Sequence, residues 1–289
     1  MKTSIKGHIF AVTTITIWSS TFIVSKILLN QFTPLQILVV RYLLAIVFLT
    51  LLYPRFKKPT SIKEEVLFLF IGTALAFYFV FENTALQHTY SSNVSLIVST
   101  IPLLTGILSM VVYKTHFFTL KSIIGFILAY LGVFLIIING SKFEGVEPIG
   151  DFLALGAAAM FAVYSVLMEK TSKDYHMIQL TRKVFIYGLL VLLLVVAIKG
   201  QPITFEVINS KVIASMLFLG IVASSLAFIL WNNAIKVIGP VKTNQYIYLV
   251  PVVTTIMSAW VLKEKITYMT LIGTLLILMG LYLSEKSQE

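Results

Sequence analysis

Ten apolar runs of about twenty residues, separated by short polar turns, constrain this 289-residue chain more than any other feature. A helix rises about 1.5 Å per residue, so about 20 apolar residues match the hydrocarbon thickness of a bilayer. The runs fall near 7–29, 34–53, 65–87, 91–113, 119–138, 149–168, 178–198, 212–235, 240–262 and 267–284. Composition agrees, with 58% apolar and 12% charged residues and a mean hydropathy of +0.95. Soluble domains carry about 25% charged residues, and a chain this poor in charge cannot cover its surface in water. Disorder, a coiled coil, a disulfide scaffold and a free soluble enzyme are excluded. The expected fold is an all-α integral membrane protein with ten transmembrane helices. Lys2 and Lys6 precede the first run as in a signal peptide. That run is too long and lacks a small-residue cleavage site, so it reads as the first span. The longest connections, 54–64, 139–148 and 199–211, leave no room for a soluble domain.

The net charge of +10 raises the possibility of a nucleic-acid partner, and its distribution decides against one. The basic residues sit in short runs between spans, as in Arg55-Phe56-Lys57-Lys58 and Arg182-Lys183. With the first residue inside, 15 of the 22 Lys and Arg fall on one side of the membrane. By the positive-inside rule that side is cytoplasmic, and both termini are expected there, in a multi-pass protein of the cell membrane. There is no cysteine, and the four histidines (His8, His88, His116, His176) lie at span ends without metal-ligand spacing. No nucleophile elbow, metalloprotease motif or Walker loop is present. The expectation is therefore no enzyme activity, no cofactor and no metal, with the lipid bilayer and a small molecule as partners; oligomeric state is left open.

The chain repeats itself. Shifting the second half back by 149 residues brings Pro251, Thr254, Ile256, Ser258 and Val261 onto Pro102, Thr105, Ile107, Ser109 and Val112. Asn83 and Ala85 match Asn232 and Ala234 at the same offset. After a one-residue slip, Thr119, Gly125 and Gly132 match Thr267, Gly273 and Gly280. Apolar segments share Leu and Ile by chance, but matched Pro, Asn and Gly are harder to obtain that way. The reading is two five-helix repeats, 1–140 and 141–289. An odd helix number gives them opposite topology, a recurring device of secondary transporters.

At these residues the chain resembles the drug/metabolite transporter superfamily, in particular its ten-helix EamA-type members. The resemblance is carried by Trp18-Ser19-Ser20-Thr21-Phe22, Arg41-Tyr42, Pro102, the Gly125/Gly132 pair, and second-half echoes ending in Lys263-Glu264-Lys265 and Gly273/Gly280. It departs from the family at the turn after the fourth span, where Thr115 and His116 stand in place of an acid. The resemblance implies a ten-helix exporter-like fold whose central cavity is lined mainly by helices 1, 3, 4, 6, 8 and 9.

Candidate cavity residues follow from helical spacing. In the fourth span Ser92, Ser95, Ser99, Pro102, Gly106 and Ser109 share a face; in the ninth, Val241, Asn244, Tyr248, Pro251, Thr255 and Ser258 do. Such stripes are either packing seams of small residues or cavity walls. Pro102 and Pro251 free the carbonyls of Val98 and Ile247, which makes them candidate hinges, since freed backbone is tolerated only where buried or water-lined. Trp18, Thr21, Tyr78, Tyr164, Trp231 and Asn232 complete the substrate-binding candidates with Ser95, Ser99, Asn244, Tyr248 and Glu82. Glu82 is the one carboxylate clearly inside a span, at a depth similar to Arg41. It is expected either to pair permanently with Arg41 or to serve as a proton or substrate-amine site.

The expected function is secondary active transport by alternating access. The cargo would be a small neutral or zwitterionic metabolite, such as an amino acid, moved outward and possibly coupled to protons. Export of lipophilic amines or drugs, and a channel or sensor on the same fold, are the alternatives.

Overall fold

The computed structural model describes residues 2–59, 61–88, 91–114, 119–140, 148–171, 175–200, 203, 209–250, 252–253 and 268–286. Among them there is no strand. The elements are α1 (Lys2–Leu29), α2 (Pro34–Leu52), α3 (Ile62–His88), α4 (Ser91–Val98), α5 (Ile101–Tyr113), α6 (Leu120–Gly140), α7 (Pro148–Glu169) and α8 (Met177–Lys199). Then follow α9 (Ser210–Leu217), a π segment (Phe218–Leu226), α10 (Ala227–Ile238), α11 (Pro240–Gln245), a 3-10 turn (Tyr246–Tyr248) and α12 (Tyr268–Lys286). Among the described residues six helices are long and apolar enough to cross a bilayer: Ile5–Leu29, Pro34–Leu52, Ile62–His88, Phe152–Glu169, Met177–Lys199 and the continuous rod Ser210–Ile238. Local chemistry sets their ends. Thr33 and Gln36 form a reciprocal capping box, followed by a proline in the first turn of α2.

Three departures from straight spans matter for the site. The run 91–113, expected as one helix, is two: α4 ends at Val98, Ser99 and Thr100 form a turn, and α5 restarts with Pro102 in its first turn. Proline has no amide hydrogen to give the Val98 carbonyl and its ring clashes there, so the helix breaks at that carbonyl. The run 240–262 likewise loses α-helical register at Tyr246–Tyr248. Pro251, Thr255, Ser258 and Lys263–Lys265, like Thr115 and His116, lie outside the described residues. Third, nine residues in the middle of the eighth run are wound as a π helix, in which the Ala227 amide bonds the Val222 carbonyl five residues back.

Packing follows glycine. A Cβ on Gly132 would come within 2.5 Å of the Gly273 carbonyl, and one on Gly280 within 2.4 Å of the Gly125 carbonyl. The four sequence-matched glycines therefore form one antiparallel seam between α6 and α12, where the missing side chains let the backbones touch. A second correspondence is visible only in space. Gly72 of α3 packs on Val184 and Tyr187 of α8, and Gly220 of the π segment packs on Arg41 and Leu44 of α2. The two contacts have the same form, with the same three-residue spacing on the facing helix.

The bundle is apolar outside and keeps its intramembrane polar side chains within a mostly apolar interior. Leu51, Phe152, Leu194 and Ile198 are among many exposed large apolar side chains, whereas Thr14, Arg41, Glu82, Asn83, Asn232, Asn244 and Gln245 are buried. Hydrocarbon around the protein makes the first arrangement favourable and forces the second.

Candidate functional site

A cavity opens in the middle of the bundle where α1, α2, α3, the α4–α5 break, α7, α10 and the segment after the 3-10 turn converge. Trp18, Thr21 and Phe22 come from α1, Arg41 from α2, and Tyr78, Phe79 and Glu82 from α3. Val98 and Ile101 flank the break, Phe161 and Phe228 face them, and Ile247 and Val250 close the wall. The free space is about 30 Å³, enough for a water or two and far below the about 300–1,000 Å³ of a small-molecule pocket. The cavity is contracted, so a metabolite enters only if its walls part.

Two charges line this space. Arg41 is 2% exposed and Glu82 is 4% exposed. The direct ion pair expected from their depths is not formed. Arg41 Nε donates to Ser224 Oγ in the π segment, and its guanidinium carbon lies 4.1 Å from the centroid of the Phe79 ring. The Glu82 carboxyl lies against the Tyr78 hydroxyl one turn before it, and its Oε2 is buried without a hydrogen-bond partner. The reason is geometric: the π segment presents a hydroxyl to Arg41, so the guanidinium is satisfied without reaching α3.

The same segment holds Trp18. In α-helical register the Ala223 carbonyl would take the Ala227 amide, but that amide bonds Val222, and the Trp18 indole donates to the Ala223 oxygen at 3.0 Å. Trp18 then packs on Phe228 and Trp231, with ring centroids 4.9 and 4.8 Å away, and edge-on to Phe161 at 5.7 Å. Tyr78 stands edge-on to Phe161 at 4.8 Å. The result is an aromatic wall around one carboxylate, an arrangement that favours a cation beside an apolar body.

A polar layer seals the bundle between this cavity and the end that carries the Lys183–Glu65 salt bridge. The Tyr164 hydroxyl donates to Asn232 Oδ1, and Asn232 Nδ2 donates to Thr181 Oγ1 at 3.1 Å, joining α7, α10 and α8. Asn244 Nδ2 donates to Thr105 Oγ1 at 2.7 Å, and Ser165 Oγ to Asn244 Oδ1 at 3.3 Å, joining α11, α5 and α7. His8 Nδ1 and the Tyr246 hydroxyl hydrogen-bond between α1 and the 3-10 turn. These bonds satisfy amides that would otherwise be costly to bury.

Of the residues singled out from sequence, Trp18, Thr21, Arg41, Tyr78 and Glu82 line the cavity together. Tyr164, Asn232 and Asn244 form the polar layer, and Trp231 packs behind Trp18 with no partner for its Nε1. Ser95 and Ser99 are buried off the lining, Ser99 donating back to the Ser95 carbonyl at 2.8 Å. Tyr248 packs on Phe126 and faces an apolar crevice on the bundle's flank. Sequence reasoning missed Phe79, Phe161 and Phe228, which alternate with aliphatics and carry no distinguishing pattern. It also missed Ser224, for which a signal exists. Gly72 and Gly220 are 148 apart whereas Asn83 and Asn232 are 149 apart. The interval from Gly220 to Asn232 is thus one residue longer than that from Gly72 to Asn83, and it contains most of the π segment. Among the described residues no group of three His, Asp or Glu is placed to hold a metal ion.

The model of the EamA-like transporter family matches the chain twice, over residues 5–138 and 148–285. An uncharacterized transporter of Archaeoglobus fulgidus is 28% identical, covering 98% of this chain and 99% of its own. The uncharacterized transporter YyaM of Bacillus subtilis is 29% identical over 90% of this chain and 87% of its own. A solved crystal structure aligns with a TM-score of 0.75 at 17% identity, covering 98% of this chain and 99% of that one, and so shares the fold.

Proposed function

The chain belongs to the EamA-like transporter family, a multi-pass membrane family, and from that premise we propose that it is a secondary active transporter working by alternating access. Its cargo is a small neutral or zwitterionic metabolite, an amino acid or related compound, carried outward across the cytoplasmic membrane. One observation carries this reading: a contracted central cavity holds a carboxylate and a guanidinium that are not neutralised by each other. A zwitterion offers an ammonium to Glu82 and a carboxylate to Arg41, while Trp18, Phe161 and Phe228 take an apolar side chain.

The mechanism rests on ten helices in two inverted repeats, 1–140 and 141–289, with both termini cytoplasmic. Support comes from the double family match, the antiparallel glycine seam, and the paired contacts of Gly72 and Gly220. Related halves can exchange conformations, and exchange opens the cavity to opposite sides in turn. Pro102 and Pro251 are the hinges. The layer of Tyr164, Asn232, Thr181 and Asn244 is the cytoplasmic gate, closed here. Proton coupling rests on Glu82, whose protonation competes with an ammonium for the same oxygens.

The test is counterflow in proteoliposomes preloaded with unlabelled amino acids and given labelled tracer outside. Transient tracer accumulation is expected; its absence from folded, inserted protein removes amino acids from the reading. A second reading, export of lipophilic amines, is favoured by the aromatic wall around Glu82, and labelled amines in the same assay separate the two. With a pH gradient, Glu82→Gln keeps exchange and loses gradient-driven accumulation. Accumulation equal to wild type would remove the coupling role.

A further inference from the structure

We propose that Ser224 is a positioning residue: by holding Arg41, it keeps Glu82 open as the acceptor for a protonated amino group of the cargo. The inference rests on the central cavity being the transport site.

Two opposite charges buried on one small space gain most by pairing directly, because water is scarce there and the attraction is weakly screened. Here they do not pair. Arg41 is satisfied from two sides by groups other than Glu82, the Ser224 hydroxyl at its Nε and the Phe79 ring beneath its guanidinium. Glu82 keeps one oxygen buried and unpartnered, which is costly for an acceptor in a dry interior. A structure that satisfies one charge and meets the other only in part, with the Tyr78 hydroxyl against the Glu82 carboxyl and Oε2 left over, stores affinity for whatever completes the second. A protonated amine is the chemistry that does so: it donates to the carboxylate and lies well against Trp18, Tyr78 and Phe161.

Ser224 reaches Arg41 because of the π segment. In π winding each residue turns about 80–85° instead of 100° around the axis, so the extra residue in this half is accommodated by rotating the face that follows. The segment's other polar links are consistent with a fixed platform. Ser225 Oγ bonds the Gly220 carbonyl at 3.0 Å and the Ala45 carbonyl at 3.4 Å, and Thr14 Oγ1 bonds the Ala227 carbonyl at 3.2 Å. The asymmetry is concentrated at this spot. By the contacts of the paired glycines Arg41 corresponds to Val184, and by the 149-residue offset Glu82 corresponds to Trp231. Arg41, Glu82 and the inserted residue are therefore departures from the repeat, and they converge on one cavity.

Removing the Ser224 hydroxyl frees Arg41 to swing onto Glu82 and occupy the amine site. The experiment measures binding of phenethylammonium to purified full-length protein in nanodiscs, read by tryptophan fluorescence since Trp18 lines the cavity. Wild type, Ser224→Ala, Ser224→Thr and Glu82→Gln are compared, each first shown to be monodisperse. Ser224→Ala and Glu82→Gln are expected to weaken binding about tenfold, the scale of one hydrogen bond to a charged group, and Ser224→Thr to stay within about threefold of wild type. If Glu82→Gln loses binding but Ser224→Ala binds as wild type does, the positioning role is wrong and the cavity reading stands. If all four proteins bind alike, or none binds, the amine site is wrong, and the cavity reading then stands or falls on amino-acid counterflow.

Discussion

Glu82 and Asn232 show how single polar side chains divide labour in this bundle. Asn232 is fully paired, taking the Tyr164 hydroxyl and giving to Thr181, so its role is to hold three helices together at one end. Replacing it by Ala removes both bonds and is expected to cost about 0.6–1.7 kcal/mol for each, the range for an interhelical bond in membranes. The check is a thermal melt in detergent together with reactivity of a cysteine placed at Val184, buried one turn further along α8, which should rise as the layer loosens. Unchanged melting and unchanged reactivity would show that the layer seals nothing. Glu82 is the opposite case, buried with an oxygen unmet. Its importance was legible in the sequence because a carboxylate inside an apolar run is rare. Its relation to Arg41 was not, because similar depth along two helices does not say which way either side chain turns. That answer lay with Ser224, a small hydroxyl residue in a run of Ala and Ser that carries no signal alone.

At the scale of elements, three irregular segments adjoin the cavity. The α4–α5 break contributes Val98 and Ile101, the 3-10 turn holds Ile247 and leads to Val250, and the π segment anchors Trp18 and Arg41. Pro102→Ala restores the amide that Val98's carbonyl lacks and permits a continuous helix. Folding is expected to persist while initial counterflow rates fall about tenfold, a barrier change of about 1.4 kcal/mol; rates equal to wild type would remove the hinge role. Deleting Ile221 shortens the π segment to the length of its counterpart in α3 and rotates Ser224 away from Arg41. Such a protein is expected to insert and fold but to lose phenethylammonium binding, and retained binding would contradict the link between winding and site. The proline break could be read from the sequence, since its steric cause is local. The π segment could not be read from hydropathy, because an inserted apolar residue leaves an apolar run unchanged; only the offset between Gly72/Gly220 and Asn83/Asn232 betrays it.

At the scale of the whole molecule, a chain that is apolar outside and buries its polar side chains encloses a central cavity. The seam of Gly125, Gly132, Gly273 and Gly280 leaves no room for side chains, so Gly280→Val is expected to destabilise by about 1–3 kcal/mol or more through overpacking. A melt unaffected by that change would mean that the seam is not closed. The membrane class was legible because periodic hydropathy is a property of the chain alone, as are the matched Pro, Asn and Gly on which the proposed repeat rests. Which residues meet across the halves was not, since that depends on how the helices turn. Alternating access about the central cavity is the account's main claim, and the chain's lack of native cysteine allows a direct test. Val98→Cys places one thiol at the cavity wall beside the break. Membrane-impermeant maleimide is then applied to right-side-out and inside-out vesicles. The account predicts labelling from both sides, with bound cargo slowing both reactions. Labelling from one side only, whatever is bound, would contradict it.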